Sequence, residues 1–281
     1  MNRAERRRRA KAAKKKPAGA EKTSPPRLDI AQIKSQLQQA ASPQEVQQFI
    51  GQLCEHGLPQ AGGEELIAYA AQYHEALAAL NSDDKAASVA LLVNSAHAWA
   101  DDRIDQSSDR NRRACKAGCA FCCYLPVVLA SAAEVVYLAD WLRANYTPEE
   151  LAAVRSRLEA RCEQDTSSSP DQKRLPCALL QDDTCMAYEA RPFKCRGWNS
   201  VRLEACERAY GQSQTTTKVP VDTFAFVMGN AVLNGLSDAT RNAELDGGAY
   251  ELNAALFRAL DLPDATLRWR NGERLFDTSR H

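Results

Sequence analysis

The chain has 281 residues, enough for one large domain or two small ones, and its apolar fraction of 44% supports a sizeable buried core. No apolar run approaches the length of a membrane-crossing helix, so no membrane span is expected. The formal net charge of zero conceals a basic arm on an acidic body: residues 1–27 hold eleven Lys/Arg against two Glu, a local +9 that leaves −9 for the rest.

The 1–27 segment is low in complexity and almost free of large apolar side chains, which predicts a disordered arm. Its charge suits attraction to nucleic acid or an anionic surface, and equally a solvated tail. No apolar stretch follows the Arg6–Arg9 cluster, so neither a secretory nor a twin-arginine signal is expected, and the expected location is cytoplasmic.

Residues 28–106 read as helices. Ser42-Pro43-Gln44-Glu45 combines an N-cap, a proline at the first helical position and a glutamate at the third. Apolar stripes follow at Val46, Phe49, Ile50, Leu53 and Cys54, then at Leu66, Ile67, Ala70, His74 and Leu77, then at Val89, Leu92, Val93, Ala96 and Trp99. Ser131-Ala-Ala-Glu134 is a capping box opening a further helix, and Thr147-Pro148-Glu149-Glu150 opens the next. Gln164–Lys173 reads as a polar loop, and the turn-rich 177–188 stretch as a small hairpin about Gln181–Thr184. Two more helices are predicted over about Asp222–Leu236 and Ala249–Leu260. The fold class is mainly α: a basic arm (1–27), a helical region (28–106), a compact cysteine-rich metal-binding module with a helical insert and a hairpin (107–210), and a C-terminal helical region (211–281).

Ten cysteines dominate the chemistry. Clustered thiols in a reducing compartment read as metal-binding or redox-active before they read as disulfides. Cys54 and Cys162 lie on apolar helical stripes and read as core packing. The other eight fall in two groups. Cys115, Cys119, Cys122 and Cys123 occupy nine residues, where either a helix or a loop turning at Gly118 would converge the sulfurs. Cys177, Cys185, Cys195 and Cys206 are spaced like ligands on successive turns of a loop-rich module. No histidine lies between His97 and His281, so the donor set is essentially all sulfur, which selects zinc or an iron–sulfur cluster. Cys119, Cys122, Cys185 and Cys195 form the expected central ligand set, with Cys115, Cys123, Cys177 and Cys206 as alternates or a second site. Arg191, Lys194 and Arg196 flank Cys195, and Arg196 is expected either to donate hydrogen bonds towards the sulfurs or to be an ordinary surface arginine.

The string Cys115-Lys-Ala-Gly-Cys-Ala-Phe-Cys-Cys123, followed by Cys177-Ala-Leu-Leu and by Cys185-Met-Ala-Tyr-Glu-Ala-Arg-Pro-Phe-Lys-Cys-Arg196, resembles the YkgJ-type cysteine cluster family. The resemblance covers about Cys115 to Cys206 and implies a zinc- or iron-chelating domain. The chain departs from that pattern in the three residues between Cys115 and Cys119, where many members have two. It departs again at Ala178-Leu179, where the pattern has Pro-Phe, and at Ala187, where it has Ile. The family also includes flagellin lysine N-methylases and proteins labelled Fe–S oxidoreductases.

The expected function is therefore a cytosolic protein holding an iron–sulfur cluster or zinc through cysteine thiolates. The rival readings are a cluster-dependent enzyme (oxidoreductase or protein-lysine methyltransferase-like) and a nucleic-acid-binding module with structural zinc. Cys115-x3-Cys119-x-Phe-Cys122 also fits the radical S-adenosylmethionine triplet, but no strand–helix alternation follows and no G-x-G-x-x-G turn is present.

Overall fold

The computed structural model describes residues 29–116, 118–124, 127–167, 175–211 and 218–276. The basic arm and His281 lie outside them, as does the 168–173 part of the expected polar loop.

Four helices lead the chain: α1 Ile30–Gln39, α2 Pro43–Glu55, α3 Gln60–Leu80 and α4 Lys85–Asp105. Their starts follow from local chemistry. Asp29 caps α1, Ser42 accepts from the Glu45 N–H to cap α2, and Asp84 accepts from Ala87 to cap α4. Next come β1 Leu129–Ser131, α5 Ala132–Asn145 and α6 Pro148–Ser167. Ser131 and Glu134 form the expected capping box of α5. Thr147 and Glu150 exchange the same reciprocal bonds at the start of α6, at 3.3 and 2.8 Å. Helix α6 continues through Gln164 to Ser167, so it takes the first four residues of the expected loop.

The hairpin β2 Leu180–Gln181 and β3 Thr184–Cys185 pairs Leu180 with Cys185 and Gln181 with Thr184. Asp182 and Asp183 both have positive φ, 48° and 57°, which a two-residue I′ connection requires. Helices α7 Phe193–Gly197, α8 Leu203–Gly211 and α9 Thr223–Asn242 follow, then β4 Ala249–Glu251, α10 Leu252–Asp261 and α11 Ala265–Arg270.

The sequence did not predict β1 and β4, which pair antiparallel with Leu129 opposite Glu251 and Ser131 opposite Ala249. Three-residue strands are too short to show alternation. Each runs straight into a helix that its last residue caps, Ser131 for α5 and Glu251 for α10, so the ladder fixes where both helices begin.

Helix α9 is the central element, lying along α3 and also against α4 and α7. Helix α5 packs on α10, α11 and α4. One continuous apolar core runs from Ile33 and Leu37 through Leu138, Leu158 and Phe193 to Leu256 and Trp269. Among the described residues, no helix is long and apolar enough to cross a membrane.

Candidate metal centre

The segment that delivers Cys115 is pinned by long-range bonds at the N-terminus of α9. Asp222 is fully buried and caps that helix through Ala225 N–H at 3.0 Å. Its remaining capacity goes to Ser107 Oγ at 2.9 Å and to Arg113 Nε at 2.9 Å. Arg113 also donates to the Ile104 carbonyl at the end of α4. One residue on, the Ala114 N–H reaches the Ser200 carbonyl at 2.8 Å, and the Ser200 N–H donates to Cys115 Sγ at 3.3 Å. The Asp222 N–H donates to the Asn199 carbonyl at 2.7 Å, and Ser200 bridges Val221, which holds this stretch against the same helix end.

Of the two geometries open to the first cluster, the structure adopts the loop. Gly118 has φ +77°, a left-handed value that glycine adopts without cost, and the Cys119 N–H closes onto Lys116 O at 3.0 Å. Phe121–Tyr124 is then one 3-10 turn carrying Cys122 and Cys123. The Cys177 N–H donates to the Cys123 carbonyl at 2.7 Å, which brings the second cysteine group onto the first across the intervening helical pair. Cys185 ends the hairpin.

Cys195 lies in α7, whose entry is set by Glu134. One carboxylate oxygen accepts Phe193 N–H at 2.7 Å while the other holds Ser131. Burial raises the Glu134 pKa, and the bonds from Phe193 and Ser131 pull against that rise. Helix α7 is seated on α9 by two facing glycines. A Cβ on Gly229 would stand 2.9 Å from Phe193 O and 3.2 Å from Gly197 Cα. Cys206 lies in α8, which packs on the 3-10 turn through Tyr210, its ring edge-on to Phe121 and Tyr124 at 5.6 and 4.8 Å.

The eight thiols form two overlapping neighbourhoods in which charge on one is felt by others. Cys195 is pushed well above the ordinary thiol range by burial and by Cys177, Cys122 and Cys185. Cys177 is pushed up to about 11 by burial, with Cys185 adding to it. Cys185 is raised by burial against the pull of Arg191. Burial is again the main cause of the raised Cys115 and Cys206, with Cys119, Cys122 and Cys206 adding to the rise of Cys115, and Cys119 and Cys122 to that of Cys206. At the junction the Cys123 thiol donates to Cys122, which is pulled down to about 7 while Cys123 is held firmly protonated.

Of the expected central set, Cys122 and Cys185 act on Cys195, while Cys119 acts on Cys115 and Cys206. Among the described residues, no three Cys, His, Asp or Glu side chains stand in metal-holding geometry. The thiols are thus gathered but not closed on a point.

Cys54 and Cys162 stand outside both groups: Cys54 packs against the core, and Cys162 lines a surface groove beside α10. His74 makes a core contact, its Nε2 lying 2.8 Å from Leu37 O.

Arg196 does not act as expected. Its buried guanidinium donates to Asp101, to the Glu189 carbonyl and to Arg191 O at 2.9 Å, so every described acceptor is oxygen. Arg191 helps to lower Cys122 and opposes the burial that raises Cys185 and Cys195. Asp222, Arg113 and Glu134 carry no signal in the local cysteine spacing, since each acts across the fold; only Glu134 was marked, as a cap. Comparison with family models, with curated proteins and with solved structures finds no match to this chain.

Proposed function

We propose that the chain is a metal-binding protein whose clustered thiolates hold zinc or an iron–sulfur cluster. The observation that supports this best is the meeting of the two cysteine-bearing segments, 115–123 and 177–206, through the Cys177 N–H on the Cys123 carbonyl and the Ser200 N–H on Cys115 Sγ, so that thiolates formed there would repel one another. Repulsion of this kind is relieved when a soft cation takes the place of the protons, and the all-sulfur donor set fits zinc or iron and not magnesium or calcium. Cys122, Cys177, Cys185 and Cys195 would form the principal set; Cys115, Cys119 and Cys206 would form the second, with Cys123 at the junction. A bound cluster would supply one-electron chemistry, and a zinc ion structural cross-linking. The chain's own contribution is positional: Glu134 and the Gly197–Gly229 contact fix Cys195, Asp222 fixes the entry to Cys115, and Arg191 offsets negative charge. The resemblance to the YkgJ-type family rests on the same residues and points the same way.

Single Cys→Ser variants test this reading. Serine at positions 122, 177, 185 or 195 is expected to reduce bound metal per chain by more than half. Serine at position 54 should leave it unchanged. Full metal retention in all eight cluster variants would overturn the proposal.

A further inference from the structure

A polar cleft of about 570 Å³ opens beside the thiols, between α4 and the Tyr188–Asn199 segment. Its working surface is His97, Asp101, Arg113, Tyr188, Arg191 and Arg196. Two of the three guanidinium groups are committed to the fold. Arg196 is tied to Asp101 and two carbonyls, and Arg113 to Asp222 and Asp105. Arg191 is different. Among the described residues it has no carboxylate partner, its Nε is buried without a hydrogen bond, and its guanidinium stacks 4.1 Å over the exposed Tyr188 ring.

His97 supplies a second and independent sign. It is 4% exposed, yet neither ring nitrogen has a hydrogen-bond partner. The ring is held edge-on by Tyr137 and Phe193 at 5.7 and 4.9 Å. Burial and the two arginines keep it neutral, its pKa pushed down to about 2. A buried imidazole with both nitrogens unmet is less stable than an apolar ring of its shape. A ligand in the cleft would remove that cost.

We propose that this cleft binds a small organic carboxylate, gripped by Arg191 and hydrogen-bonded by His97. The charge balance selects a monoanion. Only one guanidinium is uncommitted, and Asp101, Asp105 and Glu189 line the same space, so a phosphate dianion would meet three carboxylates. A planar carboxylate matches the arginine fork in a bidentate arrangement, and Tyr188 offers a face to an unsaturated or aromatic tail. The inference uses no sulfur and stands whether or not the thiols hold metal.

Ligand-observed NMR on the full chain tests it, with sodium benzoate as probe at ionic strength held constant with chloride. Saturable binding is expected, weakened at least tenfold in Arg191→Gln. His97→Phe keeps the aromatic clamp and removes both nitrogens; it is expected to fold at least as stably as the parent and still bind several-fold more weakly. Any anion binding by the basic arm is common to all three proteins and cancels in the comparison. Equal binding by the parent and a folded His97→Phe or Arg191→Gln chain would overturn the proposal. So would non-saturable benzoate binding, or inorganic phosphate displacing benzoate at lower concentration than acetate does.

Discussion

The carboxylate of Asp222 is fully buried and accepts from Ala225, Ser107 and Arg113, and through Arg113 it holds the segment that delivers Cys115. Burial alone would raise its pKa, but those three donors outweigh burial and hold it below the ordinary carboxylate value. A folded pKa depressed below the unfolded one stabilises the fold fully at neutral pH, and that stabilisation is lost as pH falls through the folded value. Stability measured by urea denaturation should therefore begin to decline below about pH 4, and less steeply in Asp222→Asn. Asp222→Ala removes the Ala225 cap and the closest acceptor of Arg113, leaving it the 3.6 Å contact with Asp105 and the Ile104 carbonyl, and should cost about 1–3 kcal/mol in the same measurement. An Asp222→Ala chain as stable as the parent would show that Arg113 finds another acceptor.

At the scale of elements, helices with strong local signals were legible in the sequence. Ser42, Ser131 and Thr147 each marked a helix start, and Gln181–Thr184 marked the hairpin. The elements that group the cysteines were not legible. Helix α7 has only five residues, too few for a periodic stripe, and it forms where Glu134 meets the Phe193 N–H from 59 residues away. Spacing could nominate eight ligands but not sort them. How the two segments meet depends on Ser200 reaching Cys115 and on Cys177 reaching the Cys123 carbonyl, contacts that spacing does not show.

The seat of α7 gives an element-scale prediction. Gly229→Ala places a Cβ 2.9 Å from Phe193 O and 3.2 Å from Gly197 Cα, so the Cys195 helix must lift. The expected loss is about 1–3 kcal/mol by thermal or chemical denaturation, with reduced metal per chain. Gly51→Ala is the matched control: it lies in the exposed middle of α2 with nothing within 4 Å of the added Cβ. It should gain roughly 0.4–1 kcal/mol and keep its metal.

For the whole molecule, one continuous core unites the N-terminal and C-terminal helices, with α9 packed along α3, and the Cys115 segment is held at the α9 N-terminus. Metal loss should therefore loosen the cysteine segments before it unfolds the helices, because α3, α5 and α9 bury a core that needs no sulfur ligand. Chelation is expected to increase hydrogen exchange over 115–123 and 177–206 while leaving α3 and α9 protected. Exchange that rose uniformly across the chain would place the metal's contribution in the core instead.

The most direct test of the central claim is the composition of the full chain purified without oxygen. Metal analysis, acid-labile sulfide and a visible spectrum together read what the thiols hold. The account predicts either stoichiometric zinc in a colourless protein, or iron with matching sulfide and thiolate-to-iron absorption in a brown one. A chain purified free of zinc and iron, with all eight cluster thiols open to alkylation, would contradict it.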